Sequence, residues 1–279
     1  MESPPLSVTL PPQLATLPVM DDAGNAITLK TPAKRIVVLS PDLTEMLFSI
    51  GAGSQIVGVV SGSDYPAAAR KIPLVGVFNR LNVETVQSLH PDLIVTWKAA
   101  RFSPQLKTLS VPIYVSYPEK ISDIPRAMRR LGCLTGKSVQ AEREANYFEK
   151  TVQFLSSQVS TQKKVSVFYQ VWPKPLITLS AKSWVNEMIS VCGGQNSFAS
   201  LKGAAPFING EAVVSKNPDV ILGNHLEYWK TFHNMKAVSR RHVFETNPDW
   251  IERAGPRVLK GMEMICSAFD KVRQNENDR

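Results

Sequence analysis

Short apolar runs rich in β-branched residues alternate with helix-like stripes along most of the chain. Arg35-Ile-Val-Val-Leu-Ser40, Ile56-Val-Gly-Val-Val60, Leu93-Ile-Val-Thr-Trp97, Val165-Ser-Val-Phe-Tyr-Gln-Val171 and Val220-Ile-Leu222 read as buried strands. Ser40 suits a helix N-cap, Pro41 the first helical position, and Asp42 and Glu45 the first turn, so a helix is expected from there to about Gly51. Strands alternating with helices of this length predict an α/β fold with parallel sheets. Ahead of them lies a Pro-rich extended stretch over residues 1–20. Val19 to Leu29 then reads as two short strands around a turn at Asp22-Ala-Gly-Asn25.

One segment departs from this rhythm. Ala141, Ala145, Phe148, Val152, Leu155 and Val159 recur at spacings of three and four, with no Pro or Gly between Lys137 and Lys164. The stripe predicts one helix of about 23 residues, roughly 35 Å long, with its other face in solvent. An internal repeat lies on either side of it. Asn82 to Ile94 aligns without gaps to Asn209 to Ile221, sharing N-x-E-x-V-x-S-x-x-P-D-x-I at seven of thirteen positions. Two copies of a helix, Pro-Asp turn and strand imply two lobes of related topology, with Glu84 and Glu211 at equivalent points. The expected division is residues 1–29 as an extended segment and hairpin, 30–135 as the first lobe, 136–162 as the linking helix and 163–279 as the second lobe.

Length agrees with two lobes, because a single core stops growing near 279 residues. A content of 43% hydrophobic and 20% charged residues excludes intrinsic disorder. No apolar run reaches the roughly 18 residues a membrane helix needs. The net charge of +8 permits attraction to anions, but no block of five Lys or Arg occurs, so nucleic acid is not an expected partner. Three cysteines form no C-x-x-C pair, which argues against a zinc or redox motif. Cys192 and Cys266 are either a disulfide, worth about 4 kcal/mol by loop closure, or buried small apolar residues along with Cys133. Met1-Glu-Ser-Pro-Pro has neither a basic nor an apolar leader region. The chain reads as cytosolic, or as a mature chain restarted with an added Met.

No G-x-S-x-G, P-loop or H-E-x-x-H motif is present, so catalysis and a metal centre are not expected. His90 falls at a variable point of the repeat, opposite Asn217. His225 and His233 lie in a polar, aromatic stretch that reads as a surface loop. Aromatic residues just after strands are more informative: Tyr65, Phe78, Trp97 and Trp172. In open α/β sheets ligands bind beyond the carboxyl ends of strands, so these residues suggest a cleft with flat apolar walls. Asp249, a plausible helix N-cap, and Arg253 fall on one helical face and offer hydrogen bonds to amides or carboxylates.

Arg35-Ile-Val-Val-Leu-Ser-Pro-Asp-Leu-Thr-Glu45, Ser63-Asp-Tyr-Pro66, Asn82-Val-Glu84, Pro91-Asp-Leu-Ile94, Val191-Cys-Gly-Gly-Gln-Asn196 and Asp249-Trp-Ile-Glu-Arg253 occur in one order. Over residues 30–275 they make the chain resemble the class III periplasmic substrate-binding proteins of ABC importers, which carry cobalamin, ferric siderophores or haem. Its likeness is greatest to the cobalamin-carrying branch. The resemblance implies two Rossmann-like lobes joined by a single long helix, with the ligand in the cleft between them. It implies a monomeric, non-catalytic periplasmic carrier, its signal peptide removed, that binds cobalamin or a related corrinoid without a cofactor. A ferric siderophore or haem is the alternative cargo. Its partners would be an inner-membrane permease, docked by Glu84 and Glu211, and the associated ATPase. The resemblance also implies a Cys192–Cys266 disulfide and leaves Cys133 as a free thiol packed at a helix end. Tyr65, Trp97, Asp249 and Arg253 match ligand-contacting positions. The chain departs at Phe78, Ala205, Val171 and Leu176, where Trp172 and Phe207 are neighbours able to compensate.

Overall fold

The computed structural model describes residues 18–77, 80–97, 104, 106 and 108–277. It holds the alternation read from the sequence. Strands β1 (Val19–Met20) and β2 (Ala26–Ile27) pair antiparallel around the Asp22–Asn25 turn. The Asp21 carboxylate closes that turn by accepting from the Ala23 and Asn25 amides at 2.9 and 2.7 Å.

A first sheet follows, built from β3 (Ile36–Val38), β4 (Ile56–Val60), β5 (Leu74–Val77), β6 (Arg80–Leu81), β7 (Leu93–Thr96) and β8 (Ile113–Val115). Its order is β6-β5-β4-β3-β7-β8, parallel except between β5 and β6. A second sheet contains β9 (Val165–Gln170), β12 (Gly194–Asn196), β13 (Val220–Gly223) and β14 (Val243–Glu245). Its order is β12-β9-β13-β14, parallel throughout. Between β9 and β12 lie β10 (Trp172–Pro173) and β11 (Leu176–Ile177), an antiparallel ribbon.

Between the two sheets the chain runs through a helix at Asp123–Thr135 and then the long helix Ser138–Gln158, of 21 residues. Ala141, Ala145 and Phe148 of the expected stripe are buried. Full burial of a side chain such as Phe148 contributes about 2–3 kcal/mol. One apolar cluster includes Ile36, Val38 and Leu93 of the first sheet, Phe148 of the long helix, and Val167 and Val220 of the second sheet. Phe269 of the final helix, Val258–Asn277, belongs to the same cluster. Cys192 and Cys266 form a disulfide that ties the helix Trp184–Val191 to that final helix. Cys133 is free, and it is exposed in the last turn of its helix rather than packed. The Asp123–Thr135 helix turns Leu131 and Leu134 inward, and Cys133 sits off that stripe.

The repeat has a plain structural basis. Asn82 and Asn209 cap equivalent helices, their side chains accepting from the Thr85 and Ala212 amides at 3.0 and 2.9 Å. Asp92 accepts from the Lys34 and Arg35 amides at 2.7 and 2.9 Å, fixing the entry to β3. Asp219 accepts from the Ser166 amide and hydroxyl at 2.9 and 2.7 Å, fixing the entry to β9. Val86 and Val213, like Ile94 and Ile221, are fully buried. His90 and Asn217 both take a left-handed backbone, with φ of 45° and 42°, where each repeat helix ends. The variable repeat position is therefore a shared turn conformation, which Asn and His adopt more readily than most residues.

Candidate ligand-binding cleft

Parallel α/β sheets form a crevice where the winding of the chain reverses. In the first sheet the chain starts at β3, runs out through β4 and β5, then returns to β7 on the other side. In the second, the reversal falls between β9 and β13. The residues just beyond these reversals are Ser40, Pro41, Asp42 and Trp97 in the first lobe, and Trp172, Asn224 and His225 in the second. Trp97 is 40% and Trp172 51% exposed. Leaving indole surface in water costs about 25 cal/mol per Å², so two such residues at switch points make this a candidate binding surface.

In the second lobe, Trp172 pairs in register with Ile177, and Ile177 bridges to Phe207. Cross-strand partners share a face, so Trp172, Ile177 and Phe207 form one row. Trp172 meets His225 edge-on at 6.2 Å and donates its indole N–H to the Lys174 carbonyl at 2.9 Å. At the end of β13, Gly223 has a φ of 142° and lies against β9. A Cβ there would fall 2.2 Å from the Gln170 carbonyl oxygen.

The polar centre of the cleft is a charge cluster joining the lobes. Glu45, on the first-lobe helix Pro41–Ser49, has a side chain only 1% exposed. Arg257 grips it from the second lobe, Nε to Oε2 at 2.7 Å and Nη2 to Oε1 at 2.6 Å. Arg253 Nη1 donates to Glu45 Oε1 and to Asp64 Oδ1, both at 3.0 Å. Arg253 Nη2 lies 2.9 Å from Asp249 Oδ1. The Arg257 guanidinium also stacks 4.2 Å above the Tyr65 ring. The hydrogen bond from Arg253 holds the Asp64 carboxyl below its ordinary value.

Two cavities open on this cluster. One, of about 230 Å³, is lined by Ser40, Asp42, Trp97, Trp184, Glu252 and Arg253. The other, of about 320 Å³, is lined by Glu45, Phe48, Tyr65, Arg257 and Lys260. Both take walls from each lobe. Burial raises the Asp42 carboxyl above its ordinary value, only partly offset by the Ser40 hydroxyl that donates to it. Partial burial and the nearby Asp249 charge raise Glu252 as well. Larger cavities of about 690 and 600 Å³ line the long helix, around Val152 and Val191 and around Leu155 and Arg273. They include none of the switch-point residues.

Of the residues singled out from sequence, Tyr65 lines one cleft cavity and Trp97 and Arg253 the other, with Asp249 bound to Arg253. Trp172 and Phe207 lie together on the second-lobe ribbon and line neither cavity. Phe78 lies outside the described residues. Asp249 is not the N-cap: Asn247 caps the four-residue helix Pro248–Ile251 by accepting from the Asp249 amide. This frees the Asp249 carboxylate for Arg253. Ser40 is an N-cap by backbone but makes no side-chain cap bond, its hydroxyl donating to Asp42 instead. Sequence reasoning missed the pairing of Glu45 with Arg257, and also Trp184. The available signal was an acid at position 45 amid the buried Leu43, Met46 and Leu47, a place a carboxylate occupies only when paired. Glu84 and Glu211 are exposed in the first turns of their helices, without a hydrogen-bond or ion-pair partner among the described residues.

A family model described as periplasmic binding protein matches residues 36–250. The chain is 32% identical over 254 residues to a vitamin B12-binding protein of Vibrio campbellii, covering 87% of this chain and 92% of that one. It is also 32% identical over 247 residues to a vitamin B12-binding protein of Yersinia pestis, covering 86% and 88%. Among solved structures, the periplasmic vitamin B12-binding protein of Vibrio cholerae superposes with a TM-score of 0.78 at 31% identity, over 86% of this chain and 98% of that one. A periplasmic haem-binding protein from Roseiflexus superposes with a TM-score of 0.74 at 24% identity, over 86% and 99%, which shows a shared fold alone.

Proposed function

The chain belongs to the periplasmic binding protein family, and we propose that it is the substrate-binding component of an ABC importer that carries cobalamin or a related corrinoid. Chain-long similarity to vitamin B12-binding proteins carries this reading. The cleft supports it chemically. Tyr65, Trp97, Trp172 and Phe207 offer flat apolar surface for a macrocycle, and Asp249 and Arg253 offer hydrogen bonds for its amide side chains. Phe78 belongs to the same proposed set. Because Tyr65 and Trp97 line different cavities, a ligand touching both must extend across the charge cluster. Residues 30–135 and 163–279 are assigned to the two lobes and 136–162 to the link.

On this reading the protein works in the periplasm as a monomer. It delivers its ligand to an inner-membrane permease driven by an ATPase. Glu84 and Glu211 dock on that permease: the repeat sets one exposed acid on each lobe, suited to basic groups on a two-fold partner. Titration of the protein with cyanocobalamin, followed by calorimetry and retained red colour, tests the ligand. A Kd of about 1 μM or tighter is expected, about −8 kcal/mol. No binding at millimolar ligand overturns the reading, and a Soret band on haem addition selects haem in its place. Combined Glu84→Ala and Glu211→Ala substitution leaves ligand affinity unchanged and lowers uptake; persistent uptake removes the docking role.

A further inference from the structure

Asp42 occupies an unusual place. It is the second residue of the helix that leaves the reversal between β3 and β7, it is 8% exposed, and it lines the 230 Å³ inter-lobe cavity. Its side-chain hydrogen-bond partner is the Ser40 hydroxyl. No Lys or Arg forms an ion pair with it among the described residues. Glu45, three residues on and as deeply buried, receives hydrogen bonds from two arginines. Glu45 is thus compensated by cations within the protein, whereas Asp42 has only neutral donors among the described residues: the Ser40 hydroxyl and the backbone amides of Asp42 and Leu43 at the start of its helix.

A buried carboxylate without a cation is costly to keep ionised. Arg253, on the same cavity wall, is already engaged by Glu45, Asp64 and Asp249. Glu252 adds a second acid to that cavity from the other lobe. The cleft centre therefore sets Asp42, Glu45, Asp64, Asp249 and Glu252 against Arg253, Arg257 and Lys260, in a chain whose net charge is +8. Acids outnumber bases there, so the surface offers acceptors in excess of donors.

We infer that Asp42 is a specificity-determining residue of the cleft: its carboxylate accepts N–H donors from neutral carboxamide groups of the ligand and, with Glu252 on the same cavity, disfavours ligands presenting carboxylates there. The inference rests on the corrinoid reading. The rim of cobalamin carries primary carboxamides, whereas haem presents two propionates. Bonds from a neutral amide to an ionised acceptor are the stronger kind, and a carboxylate in the amide's place leaves two acceptors facing each other.

The test is calorimetric titration of the full chain with cyanocobalamin and with each monocarboxylate made by hydrolysing one peripheral amide. The wild-type protein is expected to bind at least one monocarboxylate about tenfold or more weakly than cyanocobalamin. Asp42→Asn, whose amide donates to a carboxylate as well as accepting from an amide, brings that ratio within about threefold. Asp42→Ser gives the same narrowing should the Asn variant fail to fold. An unchanged ratio in a folded variant overturns the inference and leaves the carrier reading standing. A wild-type protein that binds no corrinoid overturns both.

Discussion

Glu45→Gln tests the lobe-to-lobe charge cluster directly. The substitution keeps shape and one acceptor oxygen but removes the charge that two arginines of the opposite lobe share. The Arg257 side chain is 11% and that of Arg253 22% exposed, so water recovers little of the lost interaction. Breaking a buried ion pair at one partner costs about 3–5 kcal/mol. Arg253 keeps Asp64 and Asp249, whereas Arg257 keeps, among the described residues, the Tyr65 ring and Asp249 Oδ2 at 3.9 Å. The lower end, about 3 kcal/mol, is therefore expected. For a chain of this size that lowers Tm by about 6–12 °C if the lobes unfold together. Differential scanning calorimetry reads the Tm. A double-mutant cycle with Arg257→Met isolates the pair, with an expected coupling of about 2 kcal/mol. Spin labels at Gln87 and Lys216, one per lobe on the repeat helices, read lobe orientation in a Cys133→Ser background, and their distance distribution broadens in Glu45→Gln. A Tm within about 2 °C of wild type and a coupling below about 0.5 kcal/mol refute the reasoning.

Other outcomes follow from the same structure. Burial raises the Asp42 carboxyl above 3.8, so folding is favoured below that value and the advantage fades as pH rises through the folded value. Asp42→Asn therefore raises Tm at pH 7 and leaves it unchanged near pH 3.5; an equal gain at both refutes the burial argument. Asn82→Ala and Asn209→Ala each remove an N-cap and cost about 1 kcal/mol in urea unfolding, with Asn→Asp at either site costing little. Reducing Cys192–Cys266, 74 residues apart, lowers stability by about 4 kcal/mol, seen as a lower Tm in dithiothreitol that Cys133→Ser does not alter.

Much of this fold was legible because its signals are local. The β-branched runs that became β3, β4, β7, β9 and β13 pack on both faces, and burial at every position but the half-buried Val57 and Ser166 leaves little polar alternation to confuse them. The long helix was readable from its stripe, and the shared repeat positions include caps that act within one helix, whereas the acids Asp92 and Asp219 reach the entries of β3 and β9, at separations of 57 and 53 residues. The cleft was legible only in part. Aromatic residues after strands pointed to Tyr65 and Trp97, which line the two inter-lobe cavities, and to Trp172, which lines neither, because strand ends are where parallel sheets present side chains to a crevice. The Asp249–Arg253 pair was readable from its spacing, but its role was not.

Local chemistry along the chain determined the class of fold, the two-part organisation and the equivalence of Glu84 with Glu211. Tertiary structure alone decided which charges meet. Glu45 and Arg257 are separated by 212 positions, and Asp64 and Arg253 by 189. No periodicity in the sequence links residues so far apart. Their pairing depends on how two sheets are oriented by the apolar core between them. The same packing pairs Glu45 with two arginines and leaves Asp42 without a cation among the described residues, although they lie three residues apart on one helix.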